Sequence, residues 1–322
     1  MMRSSFKSGL TGLDPRVFLF FLFAQSLWAV DYIHDNGRVY VDNTYPVDDI
    51  FVMRWPYKEP TERNQLAWLR LITAADYNGG NGATYGYDYK ILENNSFSDQ
   101  YGVQTSRQYY GERTDLNGAD VLIEETIRTF AVNKGPKTNS VEMLYKVTNL
   151  GTQTIPALYL GNNFNFDLPN PSTAVMEIDS ARNLYYARTA DSSIFVGARV
   201  LSGKMHSAHT QINADIFNAD IYSLVADGVI DTIPANMPGK VPSFTLSQKF
   251  SSVPPNTSST FIFGIFFGAT LQEIQSASDA AYQQYGGLGG SGGAVVKDVI
   301  YPGSPQLDTQ RKSSGGGCLI KR

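Results

Sequence analysis

From Val141 to Thr148 the chain alternates: Val141, Met143, Tyr145 and Val147 are apolar, and Glu142, Lys146 and Thr148 are interleaved with them. Successive side chains of a strand point to opposite faces, so this period of two makes one buried face and one face of different character. The pattern recurs along the chain. "RVYV" opens a series that continues through "AWLRLITAADY" and "ADVLIEETIRTFAV" to "SVEMLYKVTNL". Asn149, Gly151 and Thr152 then form a turn, after which "IPALYLGNNFNFDL" returns. "NLYYARTADSSIFVGARVL" has the form of a hairpin turning near Asp191-Ser192, and "SSVPPNT" separates "FTLSQKF" from "STFIFGIFFGA". Turn signals roughly every ten residues predict an all-β fold, a large, mostly antiparallel β-sandwich.

Two helices are expected at its edge. "NADIFNADIYSLVADG" puts Ile216, Ile221 and Leu224 near one face and closes on Gly228. In "TLQEIQSASDAAYQQYGG", Thr270 and Glu273 form a capping box. Leu271, Ile274, Ser278, Ala281, Tyr282 and Tyr285 share a face of this second helix, and Gly286 ends it.

The ends of the chain differ from its middle. Arg3, Lys7 and Arg16 precede the apolar run Val17–Phe23, and small residues follow at Ser26 and Ala29. This is the layout of a secretory signal peptide over 1–29, cleaved after Ser26 or Ala29. The apolar run falls short of the roughly 20 residues that span a bilayer. Residues 1–29 hold those three positive charges against Asp14, so their removal shifts the net charge from −4 to −6. Residues 30–285 are then the sandwich domain. Residues 286–322, opening with "GGLGGSGG", are a Gly-rich flexible tail. The predicted location is secreted, periplasmic or at the cell surface. Cys318 is the single cysteine, so no intramolecular disulfide and no cysteine zinc cluster can form. Stability has to come from burial. Without a basic excess, nucleic acid is not an expected partner.

The order of elements over residues 120–285 resembles a β-sandwich module of secreted bacterial proteins, sometimes found beside subtilisin-like peptidase domains. The resemblance rests on Lys146-Val147-Thr148-Asn149, Tyr159-Leu160-Gly161, Asn165-Phe166-Asp167, Asp179, Asn183-Leu184, Tyr186, Val196-Gly197 and Tyr222. Asn165 stands where the module has the first aspartate of Asp-Trp-Asp, so one carboxylate of that motif is missing. The resemblance implies a module without catalytic activity of its own.

Within "GNNFNFDLPNP", Asn163, Asn165 and Asp167 alternate with Phe164, Phe166 and Leu168. On a strand they stand in one row, about 7 Å from step to step. Such a row serves as a solvated face, as a buried ladder of asparagine hydrogen bonds, or as a sugar- or peptide-binding face. Asp167 with Asp179 and main-chain carbonyls could also hold a structural calcium ion, which takes oxygen ligands. Tyr85, Tyr87 and Tyr89 in "YNGGNGATYGYDYKI" share a face as well, either as a core row or as a platform for sugar rings or peptides. His206 and His209 would need further ligands to bind zinc and read as loop histidines. Glu124 and Glu125 are adjacent on a strand and face opposite ways, which excludes them as a catalytic pair. No HExxH or P-loop motif is present, and the glycines of "GGNG" and "GGLGG" read as loop and linker.

The expected function is a secreted or cell-envelope, non-enzymatic binding or scaffolding module whose partner is a glycan or an envelope component. One alternative is a carbohydrate-active enzyme on a large β-sandwich, with calcium as a possible cofactor. The other is a truncated copy of a longer surface protein.

Overall fold

A computed structural model describes residues 33–35, 38–42, 51–55, 67–85, 91–98, 103–110, 116–130, 135–169, 173–212, 221–232, 234 and 241–285. Residues 1–29, residues 286–322 with Cys318, and Tyr87 and Tyr89 lie outside them.

The described residues form a large antiparallel β-sandwich with two short peripheral helices, as the alternation predicts. Sheet A runs β1 (Ile33–Asp35), β2 (Tyr40–Asp42), β3 (Phe51–Arg54), β4 (Ala67–Tyr77), β10 (Ile155–Asn165), β15 (Pro242–Val253) and β14 (Ala208–Ile212), with β5 (Gly80–Tyr85) also paired to β4. Sheet B runs β11 (Val175–Asp179), β12 (Leu184–Arg188), β13 (Phe195–Val200), β16 (Ser258–Gly268), β9 (Ser140–Asn149), β8 (Val121–Phe130), β7 (Val103–Tyr110) and β6 (Ile91–Ser98).

The inner faces meet on one continuous apolar core. Val141, Met143, Tyr145 and Val147 of β9 are all fully buried in it, opposite Leu158, Leu160 and Phe164 of β10. Rings bridge the layers: Phe164 meets Phe263 edge to face at 5.6 Å, and Tyr185 meets Phe244 at 5.8 Å. Edge-to-face geometry suits the ring quadrupoles and adds about 1 kcal/mol per pair to the burial itself.

The face of β9 that carries Glu142 is covered too. Helix α2 (Leu271–Tyr285) lies on the outside of sheet B, packing Ile274, Ala277, Ala281 and Tyr285 against Leu144, Leu184, Ile262 and Phe266. Its start has the expected cap: Thr270 Oγ1 accepts from the Glu273 amide at 3.2 Å, and Glu273 Oε2 accepts from the Ala269 amide at 2.8 Å. Glu142 is therefore fully buried, accepting from the Tyr285 hydroxyl at 2.6 Å and paired with Lys137. A charge in that position is tolerable because it is both paired and hydrogen-bonded.

Two turns behave differently from the sequence expectation. β10 does not return beside β9; it crosses into the other sheet. The Pro-Pro-Asn turn likewise joins β15 of sheet A to β16 of sheet B. The two crossings lie together, with Asn149 between them. Its main chain accepts from Asn256 at 2.8 Å and donates to Thr257 at 3.1 Å. Its side chain donates to the carbonyls of Gln153 (2.8 Å) and Val253 (2.9 Å) and accepts from the Gly151 amide (2.9 Å). The hairpin at Asp191-Ser192 is found as expected, joining β12 to β13, with Ser192 at a positive φ of 55°.

Candidate functional site

The outer face of sheet A carries a row of hydrogen-bonding side chains. The register sets Arg70 of β4, Asn163 of β10, Thr245 of β15 and His209 of β14 side by side in one line. One step along, Asn165 stands beside Ser243. Large apolar residues alternate with these on each strand and face the core, so the polar set is displayed on the far side.

Asn163 and Asn165 form the buried hydrogen-bond ladder, one of the arrangements the alternation allows. Asn163 Nδ2 donates to Ser243 Oγ and to Thr245 Oγ1, each at 3.0 Å. Asn165 Nδ2 donates to Asn163 Oδ1 at 2.9 Å. Asn163, Ser243 and Thr245 are fully buried, and Asn165 is nearly so.

Helix α1 (Ile221–Ala226) sits over this face. Its docking requires Gly161: a Cβ there would lie 2.5 Å from Val225 Cγ1 and 3.2 Å from the Leu246 carbonyl. The C-terminal end of α1 is held from below. Ser247 Oγ donates to the Val225 carbonyl (2.8 Å), His206 Nε2 to the Ala226 carbonyl (3.2 Å), and the Gly228 amide to Ser207 Oγ (3.0 Å). His209 Nε2 meets Asp227 Oδ1 at 3.1 Å, an oxygen that also accepts from the Val229 amide at 2.9 Å. Both partners of this pair stay partly open, with 15% and 31% of their side chains exposed. The two histidines thus serve separate partners instead of converging. His209 lies on β14, where the sequence reads as a loop.

On the same face of sheet A, Asp76 accepts from two phenols, Tyr159 at 3.1 Å and Tyr222 of α1. Burial first, and then the Asp76 carboxylate, raise both phenols above their ordinary range. His206 stacks on Tyr159 with ring centroids 5.4 Å apart, and Lys249 Nζ lies 5.2 Å from the same ring. Sequence reasoning missed Asp76, Asp227 and the Tyr159 cluster. Their only signal was the Tyr222 and Gly228 spacing around a short helix.

The remaining expected residues are dispersed. Asp167 follows β10 and is half-buried, and burial pushes its carboxyl up. Asp179 is on β11 of sheet B, where it accepts from Arg182 at 3.0 Å and Gln275 of α2 at 2.8 Å. Burial raises its carboxyl, but those two donors outweigh burial and hold it below the usual range. The calcium reading would need Asp167 and Asp179 together; Asp167 follows β10 of sheet A and Asp179 lies on β11 of sheet B. Among the described residues no group of three or more His, Cys, Asp or Glu could hold a metal ion. Tyr85 closes β5, paired with Ile72.

No family model matches the chain, and no curated protein matches it in sequence. Similar solved structures include a protein from Escherichia coli K12 named provisionally as an aldose 1-epimerase, at 8% identity and a TM-score of 0.45 over 74% of this chain and 99% of that one. A GalM/aldose epimerase homologue from C. elegans matches at 8% identity and 0.43, over 75% and 100%. Heparan sulfate lyase HepC from Pedobacter heparinus matches at 9% and 0.39, over 79% of this chain and 42% of that one. Each is named for an enzyme acting on carbohydrate or for a homologue of one, which runs against the expectation of a non-enzymatic binding or scaffolding module and its leaning against catalysis. At such identities the likeness concerns the fold, and the chemistry has to be argued from this chain's own side chains. Among the described residues no helix is long and apolar enough to cross a membrane.

Proposed function

We propose that the protein is a carbohydrate-active enzyme working on the outer face of sheet A, beside the C-terminal end of α1, and that the leader 1–29 exports it to meet its glycan. The observation that carries this reading is the His209–Asp227 pair, half-open at the end of the line Arg70, Asn163, Thr245. Sugars are recognised by closely spaced donors and acceptors, which the amides and hydroxyls of this line provide. A sugar oxygen has to gain or lose a proton in almost any reaction at the anomeric carbon, and a positioned imidazole can move one. Asp227 accepts from His209 Nε2, which holds the ring in one tautomer and leaves Nδ1 as the base. Tyr159 and Tyr222 supply ring surface at the border of the site.

The test is to incubate the purified full chain with freshly dissolved α-anomers of reducing monosaccharides and with a panel of oligosaccharides, following anomeric signals by proton NMR. Accelerated anomeric exchange or bond cleavage, lost in His209→Gln and Asp227→Asn, supports the reading. Rates equal to buffer for every sugar reject it.

A further inference from the structure

The hydrogen bonds of the asparagine ladder run in one direction, and the direction can be worked out. Asn163 Nδ2 lies near the main-chain carbonyl of Phe244, at 3.5 Å, as well as near the two hydroxyls. A carbonyl oxygen can only accept, so the nitrogen of Asn163 faces β15 and its oxygen faces Asn165. The nitrogen of Asn165 must then face Asn163, and Asn165 Oδ1 turns away from the ladder. That oxygen is buried and has no hydrogen-bond partner among the described residues. Asn165 as a whole is 2% exposed.

Two other side-chain oxygens are orphaned near this strand, Asn162 Oδ1 and Thr73 Oγ1. Both belong to the inner face, between the sheets, where Asn162 donates to the Tyr145 hydroxyl at 3.2 Å. Asn165 Oδ1 is on the opposite side, the side of His209. It stands one step, about 7 Å, from the line that ends at the His209–Asp227 pair. Leaving a buried acceptor without a donor is unfavourable, and an apolar side chain of the same size would avoid it. An oriented, unsatisfied acceptor on the same sheet face as a proton-moving pair has a use if the donor arrives with the ligand.

We infer that Asn165 Oδ1 accepts a hydroxyl hydrogen from the bound sugar and so determines which sugar is taken. The inference rests on the carbohydrate reading above. Asn165 is buried in the free protein, so the residues over it have to part as the ligand enters. A site built around an unsatisfied acceptor discriminates strongly against an analogue that lacks the donor, because the acceptor is then left buried and unpaired.

The experiment uses the fastest monosaccharide of the panel together with its single-position deoxy and deoxyfluoro derivatives. With the wild-type chain, one deoxy position should lose about tenfold or more in kcat/KM. The fluoro derivative at that position should lose as much, since fluorine cannot donate. In Asn165→Leu the parent sugar should fall to the level of that deoxy derivative, with little further loss on deoxygenation. If the fluoro sugar is handled like the parent, the site supplies a donor there and the assignment is overturned, a result that does not depend on how the variant folds. An unchanged discrimination pattern in a folded Asn165→Leu also overturns it while leaving the carbohydrate reading intact. If no sugar is turned over by the wild-type chain, both fall.

Discussion

Asn149 Nδ2 donates to the main-chain carbonyl of Val253 at 2.9 Å, tying the last residue of a sheet B strand to the last residue of a sheet A strand. With its other bonds to Gln153 and Gly151, this one buried amide closes both crossings between the layers.

Asn149→Ala should therefore be costly well beyond one hydrogen bond. It leaves the buried Val253 carbonyl and the partly buried Gln153 carbonyl unpaired at two crossings, and a buried unpaired group costs about 1–3 kcal/mol. A loss of about 2–4 kcal/mol on this basis, seen as a lower urea midpoint at unchanged slope, is expected. Asn149→Asp should be comparably unstable, because a carboxylate cannot donate to either carbonyl.

Gly161→Ala tests the seat of α1. The added methyl would collide with Val225 Cγ1, and the Leu246 carbonyl leaves it little room to shift. Overpacking of this kind typically costs about 1–3 kcal/mol. Amide exchange over residues 221–228 should accelerate, and Val225→Ala in the same chain should recover part of the loss. Equal exchange in Gly161→Ala and wild type would show that α1 does not depend on this contact.

Alkali should weaken the sandwich through Tyr185. Its hydroxyl donates to the Asp231 carbonyl at 2.9 Å, and burial first, then the Asp231 charge, pushes its pKa from 10.0 to about 12. The folded state therefore keeps a proton that the unfolded chain loses. The resulting stability is whole below pH 10 and falls by up to about 3 kcal/mol as the pH approaches 12. Urea midpoints should drop across that window, and the drop should be shallower in Tyr185→Phe. Tyr159 and Tyr222 are raised in the same direction and contribute to what remains.

Much of the fold is legible in local pattern. The alternation of β9, the cap at Thr270 and Glu273, and the turn at Ser192 all depend on neighbours within a few residues, and all three form as the sequence implies. Alternation specifies faces but not partners. β9 and β10 therefore resemble a hairpin in sequence although they belong to different sheets. The site was legible only in part for the same reason. The row of Asn163 and Asn165 is visible, but the seating of α1 on the same strand depends on Gly161 meeting Val225, far away in sequence. Asp179 looks available until Gln275 and Arg182 are placed against it. His209 acquires a chemical partner only when β14 brings it to Asp227.

The proton-moving role of His209 is the central claim, and the turnover rate of the full chain on its fastest sugar tests it most directly. His209→Gln should lower kcat by about a hundredfold or more, with the melting temperature nearly unchanged. A folded His209→Gln protein that keeps the wild-type rate would contradict it.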